Sequence, residues 1–158
     1  MEKKFIRVGE VAKELEISES HAYKIMRKLN RELEAKGYIT VAGRDLDMSF
    51  EAFVEIYTTD LKARLKESTW QTKEHIIQTK IVPYFGKRKI NEITTKDVIA
   101  WQNELLAYRD EKHKPYSQSY LKTLHNQLSA IFNHAVRFYD LRSNPAAKAG
   151  NMGSEERK

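Results

Sequence analysis

The sequence predicts a mainly α-helical protein in two units. Residues 1–44 read as a small helix–turn–helix with a short β wing, and residues 49–150 as a larger helical bundle. Three observations carry this. Apolar residues recur at helical spacing in several separate stretches. Good N-cap residues precede some of these stretches, with Ser18, Ser68 and Thr94 or Thr95 at the starts. Only three prolines and six glycines interrupt 158 residues. Gly37, Gly43 and the polar stretch 45–49 sit together, which puts a boundary near residue 45. Residues 45–48 then form a linker, and 151–158 a flexible tail.

The first helix is set by Val8, Val11, Ala12 and Leu15, and a turn follows at Glu16-Ile17. Ser18 caps the second helix, with Glu19 in its first turn. Ala22, Ile25, Met26, Leu29 and Leu33 make its apolar stripe. Ser20, Tyr23, Lys24, Arg27, Lys28 and Arg31 fall on the opposite face. Two helices crossing over a tight turn need a small residue at their closest approach, and Ala12 and Ala22 provide it. The turn is often made with Gly, and Glu16 stands there instead. Strand propensity in Phe5-Ile6-Arg7-Val8 and Tyr38-Ile39-Thr40-Val41 gives the wing, which ends at Gly43-Arg44.

In the second unit, one helix from about 49 to 66 is marked by Phe50, Phe53, Val54, Tyr57, Leu61 and Leu65. The next starts at Ser68, whose spacing to Gln71 reads as a capping box. It turns Trp70, Ile77 and Ile81 inward and ends near Pro83. Ile90 and Ile93 are spaced as buried loop anchors. A third helix follows with Asp97 in its first turn and Val98, Trp101, Leu105 and Tyr108 as its buried stripe. A polar loop over 109–115 leads to a helix from about 117 to 139, lined by Leu121, Leu124, Leu128, Ile131, Phe132, Ala135 and Tyr139. Its other side holds Ser119, Lys122, Asn126, Ser129, Asn133 and Arg137, flanked by Gln118 and Thr123. Amides and hydroxyls with a few cations are the groups that meet base edges and phosphates; a plain solvated surface uses them too. From Asn144-Pro145 onward, small and charged residues predict a mobile end.

Lys and Arg total 28 against 22 Asp and Glu, a net charge of +6, and the excess is shared evenly by the two halves. That balance suits a polyanionic partner. The absence of cysteine excludes disulfides, thiolate metal sites and a cysteine nucleophile. No apolar run approaches the roughly 20 residues of a membrane span, and no signal segment follows the N-terminal Met1-Glu2-Lys3-Lys4. The five histidines show no ligand spacing with carboxylates. Asp60, Glu74 and Asp97 read as lone caps or surface acids. No metal or cofactor is expected.

Two stretches carry a resemblance. The run Val8-Gly9-Glu10-Val11-Ala12-Lys13-Glu14-Leu15, with Ser18 to Tyr23 and Leu29 to Leu33 after it, resembles small excisionase-like and regulatory helix–turn–helix proteins of bacterial mobile elements. Further on come Ile81-Val82-Pro83-Tyr84-Phe85-Gly86, Ile90-Asn91-Glu92-Ile93-Thr94, Asp97-Val98, Trp101-Gln102-Asn103, Ser119-Tyr120-Leu121, Ile131-Phe132-Asn133-His134-Ala135-Val136 and Asn144-Pro145. Their order and spacing resemble the SAM-like core-binding domain of phage-type integrases, the tyrosine recombinases.

The second resemblance implies a four-to-five-helix SAM-like bundle that forms one arm of a clamp on double-stranded DNA. It implies DNA contacts at Thr72, Lys73, Gln78 and Lys80 on one helix. On another they fall at Gln118, Ser119, Lys122, Thr123 and Asn126. Lys87, Arg88 and Lys89 would meet phosphates between them. The first resemblance implies a major-groove helix, with Ser20, Tyr23, Lys24, Arg27, Lys28 and Arg31 toward DNA and Arg44 beside them. His134-Ala135-Val136-Arg137 matches the family's catalytic His-x-x-Arg by letter only; it lies inside the DNA-binding bundle, and no catalytic residue is expected in this chain. The expected function is DNA recognition in site-specific recombination, at a core-type site and an accessory site. An excisionase-like accessory factor, a transcriptional regulator and a helical protein-interaction module stay open. The expected form is a bacterial cytoplasmic protein, monomeric alone and meeting integrase protomers on DNA.

Overall fold

The computed structural model describes residues 8–37 and 46–153. Its helices are α1 Val8–Glu14, α2 Glu19–Ala35, α3 Phe50–Lys62, α4 Glu67–Ile76, α5 Val82–Phe85, α6 Thr95–Ala107, α7 Gln118–Phe138 and α8 Pro145–Ala149. No strand occurs among the described residues; Ser49 and Lys89 form one isolated antiparallel bridge. The expected wing at 38–44, Arg44 with it, and residues 5–7 lie outside the described residues. Val8 opens α1 rather than closing a strand.

The α1–α2 pair forms as its sequence dictates. Ser18 Oγ accepts from the His21 N–H at 3.2 Å, the N-cap bond. Ala12 and Ala22 are buried at the close approach. Glu16 takes a left-handed φ of 53°, the conformation a glycine would adopt freely. Gly37, with φ 82°, ends α2 in the same region. The predicted apolar stripe is only half used: Ala22 is buried, while Leu29 and Leu33 are exposed, as is Leu15.

The bundle closes on rings. Phe50 sits 5.8 Å from Phe85 and 5.6 Å from Phe132, and Phe85 sits 5.7 Å from Trp101. Tilted aromatic pairs at this spacing add to the area they bury. Ile90 and Ile93 are buried as expected, as are the predicted α7 residues from Leu121 to Ala135. Ser49 and Ser117 cap α3 and α7 through their hydroxyls. Thr94 and Asp97 form a full capping box on α6.

Four details differ from the sequence reading. The Ser68 capping box does not form: α4 starts one residue earlier, its cap Lys66 makes no side-chain bond, and Gln71 reaches back to Glu67 at 3.2 Å. The helix does not stop at Pro83. Proline has no N–H for the preceding turn, so the chain widens into a π-helical turn, Ile77–Ile81, where the Val82 N–H bonds five residues back to Ile77 O. The expected linker turns Leu46 and Met48 fully into the core and pairs Met48 O with the Ile90 N–H. The end of the chain is not loose up to residue 153. Asn144 caps α8 and bonds Ser129 and Asn133 on α7, burying Pro145 and Ala146. The last five residues of the predicted tail lie outside the described residues.

Candidate nucleic-acid interface

The α7 helix and the run from α4 through the π turn lie side by side, tied at two points. Lys73 Nζ donates to Gln127 Oε1 at 3.1 Å. Lys80 Nζ donates to the Tyr116 hydroxyl at 2.8 Å and lies over the rings of Tyr116 and Tyr108. Those two rings stack face to face, 4.1 Å apart. Tyr108 is thereby a wall of the Lys80 site rather than the core residue its spacing predicts. The Tyr116 bond, more than any other cause, raises the pKa of Lys80, so the ammonium is held charged. Along this seam Thr72, Gln78, Gln118, Ser119 and Thr123 are exposed. The hydroxyls of Thr72 and Thr123 bond back to carbonyls one turn earlier, which fixes their rotamers.

The neighbouring stripe of α7 is occupied by the chain itself. Asn151 Nδ2 donates to Asn126 Oδ1 at 3.1 Å. A Cβ on Gly153 would stand 2.3 Å from Gln118 O and 2.5 Å from Lys122 N, so the C-terminal strap presses directly on the helix backbone. Lys122 is half-buried beneath it. Ser129 and Asn133 serve Asn144.

The cationic turn after α5 is mostly paired. Arg88 meets Asp97 at 2.9 Å and lies over the Tyr84 ring, and Lys89 meets Asp47 at 2.7 Å. Lys87 is exposed.

The α2 face corrects the expectation most. Ser20, Tyr23 and Arg27 do not point to solvent; they dock α2 on the bundle. Ser20 is buried, its Oγ 2.5 Å from Ala52 O and 3.1 Å from Glu55 Oε2. The Tyr23 hydroxyl donates to Tyr139 O at 3.4 Å, and burial raises its pKa. Arg27 stacks over the Tyr139 ring. Lys24, Lys28 and Arg31 are exposed. A single helix cannot show from its own period which face a second unit will cover.

Two polar clusters are not legible in the sequence. Asp60, by sequence a lone acid, accepts from the Tyr139 hydroxyl and contacts His134 Nε2 at 2.9 Å. Burial first, and this bond second, push the Tyr139 pKa up. His134 of the His-x-x-Arg run is therefore spent on packing, among the rings of Tyr57, Phe138 and Tyr139. Buried Gln102 donates to His125 Nδ1 at 3.0 Å and to Gly150 O at 2.7 Å. The motif Trp101-Gln102-Asn103 holds the only signal for it. No group of residues suited to a metal occurs among the described residues. No described helix is long and apolar enough to cross a membrane.

Comparison with known proteins agrees with the architecture. Residues 49–106 match the family described as phage integrase, N-terminal SAM-like domain, which bears out the integrase resemblance read from the motifs. The ICEBs1 integrase of Bacillus subtilis (strain 168) is 26% identical over 124 residues, 78% of this chain. The chain spans 31% of that relative's length. A lambda integrase dimer bound to a COC' core site has a similar structure, with TM-score 0.59 and 20% identity over 82% of this chain and 36% of that one. A domain from a phage integrase protein of Nitrosospira multiformis gives TM-score 0.50 and 16% identity over 73% of this chain and 95% of its own. At these identities the two structures establish the all-α fold. The match is to an N-terminal domain and not to a catalytic one.

Proposed function

We propose that this chain binds double-stranded DNA as the recognition part of a site-specific recombinase of the tyrosine class, with the bundle gripping the core site. The observation that carries the reading is the seam between α4 with its π turn and α7. Two fixed ammonium groups, Lys73 and Lys80, border exposed amides and hydroxyls at Gln78, Gln118, Ser119 and Thr123. Cations fix register on the phosphates, while amides and hydroxyls read base edges. The integrase relatives, one of them bound to its core site, support the same reading. Asn126 and Lys122 join this surface when the strap over them lifts, and Lys87 and Arg88 flank it.

The helix–turn–helix over 1–44 forms a second contact. Its exposed cations Lys24, Lys28 and Arg31 supply the charge, and Arg44 belongs with them by sequence. It serves accessory DNA or an excisionase-like regulatory role. The chain makes no covalent step of its own, is monomeric alone, and meets integrase protomers on DNA.

The test is fluorescence anisotropy against a duplex carrying the element's core sequence. Replacing Lys73 and Ser119 together by Ala should weaken binding about tenfold or more, with the far-UV spectrum unchanged. Unchanged affinity would remove the seam from the interface.

A further inference from the structure

Four arginines from three segments converge where α2 meets the bundle. Arg27 and Arg31 come from α2, Arg64 from the turn after α3, and Arg137 from the last turn of α7. They line one open concavity of about 370 Å³, which Asp60 and Asp140 line as well. Asp60 Oδ2 is held at its floor by Tyr139 and His134. Four guanidinium groups against two carboxylates leave the concavity cationic. Arg27 and Arg137 present a guanidinium face to a ring, 4.7 Å over Tyr139 and 5.2 Å over Phe138. Stacking uses the face and leaves the N–H edge free, and it fixes the direction of that edge. None of the four guanidinium groups donates a hydrogen bond or forms an ion pair among the described residues. Each carries five donors. Like charges lining one concavity repel, and its two carboxylates offset only half of the four.

We propose that this concavity is a phosphate-binding site, and that its occupant clamps α2 onto the bundle. Planar donor forks match phosphate oxygens two at a time, which no lysine cluster does. The site stands apart from the α4–α7 seam and uses none of its residues. The phosphate chemistry rests on these arginines alone. That the phosphate comes from a DNA backbone rests on the DNA-binding reading. On that source, the duplex runs from the bundle toward α2 and is held at the joint.

The test compares the full chain with an Arg64→Gln/Arg137→Gln variant, both exposed positions, and with a Lys96→Gln/Lys112→Gln control of equal charge. Inorganic phosphate, against chloride at the same ionic strength, should raise the melting temperature of the full chain and of the control. The arginine variant should lose that rise while keeping its helical spectrum. With duplex DNA, the slope of log affinity against log salt should fall by about 1 for each phosphate that the variant no longer neutralises. An equal phosphate response in the variant would overturn the site. A lost phosphate response with an unchanged salt slope would support the site but overturn the DNA backbone as its source, leaving a free phosphate compound. If the full chain bound no duplex at all, the DNA reading would fail, and the phosphate arm would still decide the site.

Discussion

Asn151 donates from its side-chain amide to the side-chain carbonyl oxygen of Asn126, 3.1 Å away across α7. This bond lays a strap, 150–153, along a helix face whose residue types suit DNA. The strap has no element of its own; it is held by Asn151 and Gly153 on α7, by Met152 against the core and by Gly150 O, which accepts from Gln102.

Replacing Gly153 by Ala should release it. A methyl group would meet the backbone of Gln118 and Lys122 at 2.3 and 2.5 Å, an overlap that costs about 1–3 kcal/mol if the strap stays. The expected result is faster amide exchange at 150–153 with little change in melting temperature, because α8 holds on through Asn144. Unchanged exchange would mean the strap has room that the geometry does not show.

Glu16→Gly should stabilise the helix–turn–helix. Glu16 holds φ at 53°, a region that costs a non-glycine residue about 1–2 kcal/mol. The looser unfolded chain takes back part of this, so a net gain of about 0.5–1 kcal/mol is expected. Thermal unfolding checks it, and a lower melting temperature would show that the turn is not strained.

His125 should make the bundle acid-sensitive. Its Nδ1 accepts from Gln102 Nε2, which requires neutral Nδ1, and burial holds its pKa below the ordinary 6.5. The folded pKa lies under the unfolded one. The unfolded chain therefore takes up the proton first as pH drops below 6.5, and stability falls in that window; above it this group contributes no slope. Urea unfolding at about pH 7.5, 6 and 5 should show the loss in the native chain and a smaller loss in His125→Gln. Equal slopes in both would assign the loss elsewhere.

Asp97 makes the α6 cap acid-sensitive as well. The Thr94 N–H, the Thr94 hydroxyl and Arg88 all favour its charged form and lower its pKa from 3.8. Its contribution is present above 3.8 and disappears as pH falls through the lower folded value. Thr94→Ala should cost about 1 kcal/mol at neutral pH by removing the cap. Asp97→Asn should lower the melting temperature at about pH 7, and the deficit should shrink as pH falls below 3.8. A deficit that persisted undiminished in acid would exclude the charge as its cause.

Local spacing alone places the helices that bury an apolar stripe. Ala12 and Ala22, the Phe50–Tyr57 stripe, the buried side of α7, and the caps at Ser18 and Thr94 follow from spacing and residue type, which act within one or two turns. The motifs around Pro83 and Ile90 were enough to suggest the family matched over 49–106. Packing, by contrast, set the fate of the polar side chains. Tyr23 and Arg27 turned to the bundle because Tyr139 offers a ring and a carbonyl there. Asn126 and Asn133 met Asn151 and Asn144, and Lys80 met Tyr116. Arg27 and Arg31 of α2 became neighbours of Arg64 and Arg137, which stand far from them along the chain. Burying an apolar side chain needs no particular partner, whereas a polar one takes whichever partner packing brings within about 3 Å, and the local period does not encode that partner.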